Sequence, residues 1–253
     1  LPVSDITTAS LTATYNGTHL QTALTVNPPQ LKSFKLPSPL FALTKANAII
    51  TFNDPTPADG VISLTSSSSA LVVPATVTIP QGMTSITFPF TTGDPTVQTD
   101  CVVTATYKGS SIAVVCSVKP NPLTDLKVSP ATVKGGSDTV VNGTVTLLQP
   151  VAVDTSVTLT SDTTSAAEVP ATVTILAGQK TATFSVTHHA VSANTAVSLI
   201  ASRNGVSLSK TLTVAPLLKS VKIPPTLYGI GTGTGTVTLN ITAPRRLGCL
   251  FSL

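Results

Sequence analysis

Three cysteines are the most reactive side chains in this chain of 253 residues. Cys101 and Cys116 lie at equal distances from Lys108-Gly109, so a two-residue turn there places them opposite each other on antiparallel strands. In an oxidising compartment they can form a disulfide; otherwise they are two buried thiols that fill core space. Counting outward from a two-residue turn places the two cysteines at a hydrogen-bonded position of the antiparallel pair, where their backbone groups bond to each other. We expect this geometry to strain a disulfide. Cys249 has no intrachain partner in this register and is either a free thiol or an intermolecular link.

Histidines and glycines offer a second set of candidates for chemistry. His188-His189 ends a predicted strand and His19 follows a hairpin tip, but no further ligands stand at metal-binding spacing, which favours solvated histidines. The segment GTGTG at 231–235 lacks the Lys-Ser/Thr ending of a phosphate loop, and a strand follows it where a helix is needed. We therefore interpret it as a flexible turn and expect no cofactor and no metal.

The charged residues argue against catalysis and against nucleic-acid binding. Glu168 is the only glutamate among ten acidic residues, and no acid–base pair or Ser-His-Asp order emerges, so we expect no enzymatic activity. The 14 Lys and Arg residues are scattered and no aromatic stacking platform accompanies them, which argues against a nucleic-acid partner. No apolar run approaches the roughly 18 residues of a spanning helix, so we expect no membrane insertion.

The elements that must position these residues repeat along the chain. VPATVTI occurs at 73–79 and again at 169–175, and LKSFKLP at 31–37 returns as LTDLKVS at 123–129 and LKSVKIP at 218–224. The period of about 95 residues suits a complete small domain and is too long for a solenoid repeat.

Each repeat consists of short runs in which Val, Leu, Ile and Ala alternate with Ser and Thr, separated by turn residues. This pattern predicts an antiparallel β-sandwich. Asn16-Gly17, Lys108-Gly109 and Asn204-Gly205 mark hairpin tips, and VPATVTI is predicted to be one edge strand per domain, with proline at its start. The second full copy has seven predicted strands, at residues 126–128, 143–148, 156–160, 171–175, 182–187, 196–202 and 206–214.

The segments VPATVTI, GQKTATFSVT and ASRNGVSLSKTLTV resemble the bacterial Ig-like repeats found in tandem in extracellular and cell-surface proteins. The resemblance extends over nearly the whole chain. It implies tandem immunoglobulin-like antiparallel β-sandwiches, an all-β chain, an extracellular or cell-surface location, and a role as spacer, stalk or adhesive rod. It brings no shared catalytic motif.

Aligning the sequences of the repeats predicts a partial unit at each end of the chain. Residues 1–27 match the last two strands of a unit, 28–120 and 121–216 are full domains, and 217–253 match the first strands, with 249–253 at the position of 156–160. In such a sandwich the third strand pairs with the sixth, so the trailing fragment of one molecule could meet the leading hairpin of the next. The fourth and fifth strands would still be missing from the joined domain.

The partial units predict a structural protein that forms a rod, stalk or head-to-tail filament. Their partners are either copies of this chain or adjacent repeats of a longer chain. The alternative is an adhesin-type module whose loops bind a surface glycan or protein; the 4% aromatic content and the absence of Trp favour the rod. The candidate inter-subunit contacts are Leu11, Leu20, Leu24, Val26, Cys249, Phe251 and Leu253.

Overall fold

The computed structural model describes residues 3–223 and 234–240, and every helix or strand assigned in them is a β-strand. The prediction of an all-β chain built from tandem sandwiches is confirmed. The chain divides into two compact units, Leu1–Asn121 and Pro122–Leu253.

The first unit opens with a two-stranded antiparallel hairpin. Strands β1 (Thr7–Tyr15) and β2 (Thr18–Val26) pair over their whole length, and Asn16-Gly17 forms the turn. Both turn residues have positive φ, 46° and 77°, as a two-residue turn of this type requires. The alternation of Thr with Ala, Leu and Val gives the hairpin one apolar and one polar face.

A β-sandwich follows the hairpin within the first unit. One sheet has the order β3-β5-β9-β7 and the other the order β4-β11-β10-β6-β8. In one sheet β3 thus pairs with β5, and in the other β10 lies between β11 and β6, an immunoglobulin-like arrangement. The strands are β3 (Leu31–Lys35), β4 (Leu40–Phe41), β5 (Lys45–Phe52), β6 (Gly60–Ser66), β7 (Leu71–Val72), β8 (Thr76–Ile79), β9 (Ser85–Thr92), β10 (Thr99–Tyr107) and β11 (Ser110–Lys119).

The second unit repeats this sandwich. Its sheets have the orders β12-β14-β18-β16 and β13-β20-β19-β15-β17. The strands are β12 (Leu123–Ser129), β13 (Thr132–Lys134), β14 (Val141–Leu147), β15 (Thr155–Ser161), β16 (Ala167–Glu168), β17 (Thr172–Ile175), β18 (Thr181–His188), β19 (Thr195–Arg203) and β20 (Val206–Ala215). A separate pair, β21 (Leu218–Lys222) and β22 (Thr236–Leu239), follows in the same unit.

All seven strands predicted in the second copy are present, but two were missed. Strands β13 and β16 span only three and two residues, too short to show an alternation. Strand β13 runs parallel to β20, as β4 does to β11, so one short parallel pairing joins the otherwise antiparallel strands of each sandwich. In both units the chain passes from one sheet to the other at a Ser-Pro dipeptide, Ser38-Pro39 between β3 and β4 and Ser129-Pro130 between β12 and β13.

The repeated heptapeptide forms an edge strand in both units, as predicted, but only its last four residues belong to the strand. Strands β8 and β17 are the TVTI segments, and each ends the order of its sheet. Pro74 and Pro170 lie two residues earlier, where the chain passes from one sheet to the other. Proline is suited to that position because its missing N–H removes no ladder hydrogen bond.

Candidate functional site

The hairpin β1–β2 has an apolar face that is exposed. Directly opposite residues of an antiparallel pair share a face, and the register pairs Ala9 with Leu24, Ala13 with Leu20 and Tyr15 with Thr18. The side chains of one face are therefore Leu11, Tyr15, Leu20, Leu24 and Val26, here called the hairpin face. Leu11 is 67% exposed and Tyr15 80%.

The equivalent face in the first sandwich is part of the core. Strands β10 and β11, of nine and ten residues, flank the same kind of turn, and their register pairs Cys101 with Cys116 and Tyr107 with Ser110. Val103 stands where Leu11 stands and is fully buried, and Tyr107 is only 3% exposed where Tyr15 is 80% exposed. The hairpin face is thus a core face that nothing among the described residues covers.

Strands β21 and β22 present a second exposed apolar face, formed by Leu218, Val221 and Ile223 and called the β21 face. Val221 is 61% exposed. The pair repeats β3–β5 in detail, since both show a register shift after the first paired residue, between Leu31 and Ser33 in one and between Leu218 and Ser220 in the other. By this register the β21 face corresponds to Leu31, Phe34 and Leu36.

In the first sandwich these two kinds of face pack against each other. Leu31 and Phe34 belong to the same buried cluster as Tyr107 and Val118 of the β10–β11 pair, and Leu36 packs against that cluster. The hairpin face and the β21 face therefore correspond to the two halves of one sandwich core. Burying such faces is favourable at roughly 25 cal/mol per Å² of apolar surface.

Cys101 and Cys116 lie directly opposite each other on β10 and β11, as the sequence predicts. Cys101 is buried, Cys116 is half-buried directly opposite it, and both are free thiols in the structure. Burial, chiefly, and the neighbouring Cys101 and Asp100 together raise the pKa of Cys116 to about 11. Cys249, Phe251 and Leu253 lie outside the described residues, as does most of the GTGTG segment.

Each of the three histidines lies close to a polar group of a neighbouring segment. His188 Nε2 lies 2.8 Å from the Thr139 carbonyl, and His189 Nε2 lies 3.8 Å from the Glu168 carboxylate. His19 Nδ1 lies 2.8 Å from Thr14 Oγ1 across the hairpin. Within 3–223 and 234–240, no three His, Cys, Asp or Glu side chains come together as a cation site. In the same segments no helix is long and apolar enough to span a bilayer.

A groove of about 580 Å³ opens beside the VPATVTI strand of the second unit. Its polar lining comes from Glu168, Thr172, Thr174, Thr183, Ser185 and Thr187. Phe184 also lines it but is buried, so the ring offers no stacking surface for a sugar. The groove therefore gives no specific support to the glycan-binding alternative.

The sequence prediction omitted Tyr15 and the three residues of the β21 face. The signal for both was present, because TATYNG at 12–17 matches TATYKG at 104–109 and LKSVK at 218–222 matches LKSFK at 31–35. It also missed Lys108, whose ammonium donates to the Ser4 carbonyl and lies 3.7 Å from the Asp5 carboxylate. That contact joins the tip of β10–β11 to the segment preceding β1.

Comparison with known proteins gives only distant likenesses. No protein-family model matches the chain, and no curated protein matches it. Among solved structures, the D0-D1 domain of intimin is 13% identical with a TM-score of 0.32, over 73% of this chain and 98% of that one. Domains 1–6 of the surface layer protein SbsC are 18% identical with a TM-score of 0.35, over 86% and 34%. An endo-fucoidan hydrolase of glycoside hydrolase family 107 is 12% identical with a TM-score of 0.37, over 85% and 34%.

Proposed function

We propose that this chain is a structural extracellular repeat protein that forms a rod, stalk or head-to-tail filament. In this proposal the hairpin face is covered by the β21 face of neighbouring polypeptide. The observation that carries the proposal is the exposure of a core-type face, with Leu11 67% exposed where Val103 of the first sandwich is fully buried. The resemblance of the repeats to bacterial Ig-like domains supports the extracellular or cell-surface location.

The energetics favour coverage of the hairpin. An isolated two-stranded hairpin is marginal in water at best. Burying the four aliphatic residues of the hairpin face would contribute roughly 6 to 12 kcal/mol of gross stabilisation, at about 1.5 to 3 kcal/mol each. Ordering of the backbone offsets much of this gain, so the net association is weaker than the gross figure.

The chain contains both halves of the proposed contact. The hairpin face and the β21 face lie in different units, so successive copies joined head to tail would repeat the same contact. Such a contact is heterologous and need not close into a ring. A sandwich formed from these two faces would have no strands equivalent to β7, β8 or β9. We therefore expect two copies of the chain to associate reversibly, to an extent that depends clearly on protein concentration.

The remaining surface supports a structural role. Charged residues make up 9% of the chain and aromatic residues 4%, without Trp. Binding sites for proteins and sugars are enriched in exposed aromatic side chains. A surface built mainly from Ser and Thr suits a spacer whose function lies in its length and its end contacts.

Sedimentation velocity of the full chain over a hundredfold concentration range, with negative-stain electron microscopy, tests the proposal. We expect wild type to form species that grow with concentration and appear as periodic fibres. Leu11→Asp places a charge on the hairpin face and should leave only monomers. Thr12→Asp is the matched control, because Thr12 is exposed on the opposite face of the same strand, and should assemble like wild type.

Two results would contradict self-assembly. One is a wild-type chain that stays monomeric over the whole range; the cover would then have to come from adjacent repeats of a longer chain. The other is equal assembly of Leu11→Asp and Thr12→Asp, which would show that the contact lies elsewhere.

A further inference from the structure

The second sandwich has an open sheet edge along β18. Strand β14 pairs with residues 181–186 on one side of β18, whereas β16 pairs with only Thr187 and His188 on the other side. On that second side the N–H of His189 donates to the Ala166 carbonyl. Because backbone groups alternate in direction along a strand, every second residue before His189 directs its N–H and C=O to the same side. The unpaired residues of this set are Thr181, Thr183 and Ser185, here called the β18 edge, and their side chains are exposed.

No neighbouring strand covers the β18 edge. Among the residues that the structure describes, no strand pairs with it on this side, and no backbone hydrogen bond reaches its outward N–H and C=O groups. The groove of about 580 Å³ lies along it, lined by Thr183, Ser185 and residues of β17. A row of unpaired backbone groups is a template for pairing with another polypeptide strand.

The first sandwich has proline at the equivalent edge. Pro89 of β9 pairs with Asn47 as Ser185 of β18 pairs with Asn142, so Pro89 and Ser185 hold the same position. The N–H of Gly93 donates to a carbonyl on the outer side of β9, and Pro89 precedes it by an even number of residues, so Pro89 also faces outward. Proline has no N–H and interrupts pairing at an edge, a common protection against aggregation. Of the two sandwiches, only the second therefore presents a complete row of donors on this edge.

We propose that the β18 edge is an interaction surface that pairs with the β18 edge of a second copy of this chain. The two strands would run antiparallel about a twofold axis at Thr183, which places Thr181 of one copy opposite Ser185 of the other. In this register every outward N–H of the edge meets an outward C=O of the other copy. The contact is lateral, and it is independent of the end contact between the hairpin face and the β21 face.

The charges around the edge fit the same register. Residues 181–187 carry no charge, so the centre of the contact brings no like charges together. Lys180 of one copy would stand opposite Val186 of the other, beside Thr187, which pairs with Glu168. Lys180 and Glu168 are both exposed, so an ammonium and a carboxylate would approach each other at each end of the contact. Because the twofold axis supplies this pair twice, the charges favour a second copy over an unrelated peptide.

The lateral contact is short and therefore weak in isolation. Only the β18 edge of each copy provides backbone bonds, while association costs translational and rotational freedom. We expect a dissociation constant on the order of 1 mM, so lateral pairs are scarce at micromolar concentrations. In a filament the contact would repeat along two neighbouring rods, and avidity would strengthen it.

Nuclear magnetic resonance of the full chain carrying Leu11→Asp tests the lateral contact without end-to-end assembly. The amide chemical shifts of Thr181, Thr183 and Ser185 should move as the protein concentration rises to about 1 mM, and they should fit one dimerisation constant. The amides of Ser85 and Thr87 in β9 are the internal control. They should not move, because Pro89 interrupts their edge.

Two further variants in this background examine the donor itself. Ser185→Pro removes the outward N–H and should weaken dimerisation at least about tenfold, measured by the shifts of Thr181 and Thr183. The first sandwich already contains proline at this position, so we expect the variant to fold, and circular dichroism checks its β-sheet content. Ser185→Ala is the matched control. It removes the hydroxyl but keeps the N–H, and it should dimerise like the chain with Ser185.

Several results would overturn the lateral contact. They are shifts of the β18 edge that do not depend on concentration, equal dimerisation of Ser185→Pro and Ser185→Ala, and equal movement of the β9 amides. A synthetic peptide of residues 180–187 tests another occupant. Shifts that respond to this peptide but not to chain concentration would show that the edge binds a free strand and not a folded copy, which also contradicts the proposal.

These results leave the proposed function standing. It depends on the end contact, which Leu11→Asp and Thr12→Asp test at concentrations where lateral pairs are scarce.

Discussion

At the residue scale, the packing of Tyr107 explains a glycine that the sequence pattern could not explain. A Cβ on Gly60 would lie within 3 Å of Tyr107 Cε2 and of the Tyr107 hydroxyl oxygen, and the Phe52 ring packs edge-on against Tyr107. Tight packing of this kind tolerates added volume poorly.

Gly60→Ala should therefore destabilise the first sandwich by about 1 to 3 kcal/mol, as overpacking typically does. Urea denaturation of the full chain, followed by circular dichroism, measures the loss. In a Tyr107→Leu background the same substitution should cost much less, because the ring atoms near Gly60 are absent. Equal costs in both backgrounds would show that Tyr107 is not the reason for the glycine.

The second prediction at this scale concerns Cys116. Its pKa is raised from 9.0 to about 11 by burial, Cys101 and Asp100, so the folded state keeps the thiol protonated where the unfolded chain releases the proton. The folded state then binds more protons between pH 9 and about 11, and stability falls as pH rises through that window. We expect Cys116→Val to lose less stability than wild type from pH 9 to 11 in urea denaturation.

That comparison needs thiols in the reduced state, so a thiol titration under denaturing conditions should come first. Because the chain has three cysteines, three reactive thiols per chain confirm the free pair, and one thiol, from Cys249, indicates the disulfide between Cys101 and Cys116. A parallel pH dependence in wild type and Cys116→Val would contradict the pKa shift, because the two proteins differ only at residue 116.

At the element scale, β1–β2 and β10–β11 are the same ribbon in two environments. Both have nine or ten residues per strand, full antiparallel register and a two-residue turn. Only the second has a covering sheet within its unit, because β3 and β5 lie across the core from it. The difference between them is therefore tertiary and not local.

Hydrogen exchange should distinguish the two ribbons. In dilute protein we expect the amides of β1 and β2 to exchange at least about a hundredfold faster than those of β10 and β11, because uncovered hairpins open readily. At concentrations where the chain associates, β1 and β2 should become protected while β10 and β11 stay unchanged. Leu11→Asp should keep the hairpin unprotected at every concentration; strong protection of β1–β2 in the monomer would contradict this account.

At the scale of the whole molecule, the proposed filament needs only features already present in one chain. Two sandwiches provide stable bodies, and the hairpin face and the β21 face provide complementary contacts. The proposed association is apolar, which agrees with the low content of charged residues. In this proposal the hairpin face and the β21 face act as one contact, so a substitution in either should affect assembly and leave the two sandwiches folded.

The amino-acid sequence by itself determined the strands, the hairpin turns and the repeat. Alternation of Val, Leu and Ile with Thr and Ser is a local signal, and so is the positive φ that Asn16-Gly17 and Asn204-Gly205 adopt. The residues of the hairpin face could be predicted in the same way, because they match the inward positions of complete copies. Of the strand pairings, the sequence predicted the hairpins and the pairing of the third strand with the sixth, which the structure shows as β6 with β10 and β15 with β19.

Only the tertiary structure decided which faces are covered and what each residue packs against. Strands β13 and β16 form because neighbouring strands supply their hydrogen bonds, and their own residues carry too short a pattern to predict them. The pairing of Tyr107 with Gly60 joins positions that are far apart in the chain and that no local period relates. Local sequence sets which way a side chain points, whereas the partner it meets depends on how distant strands are brought together.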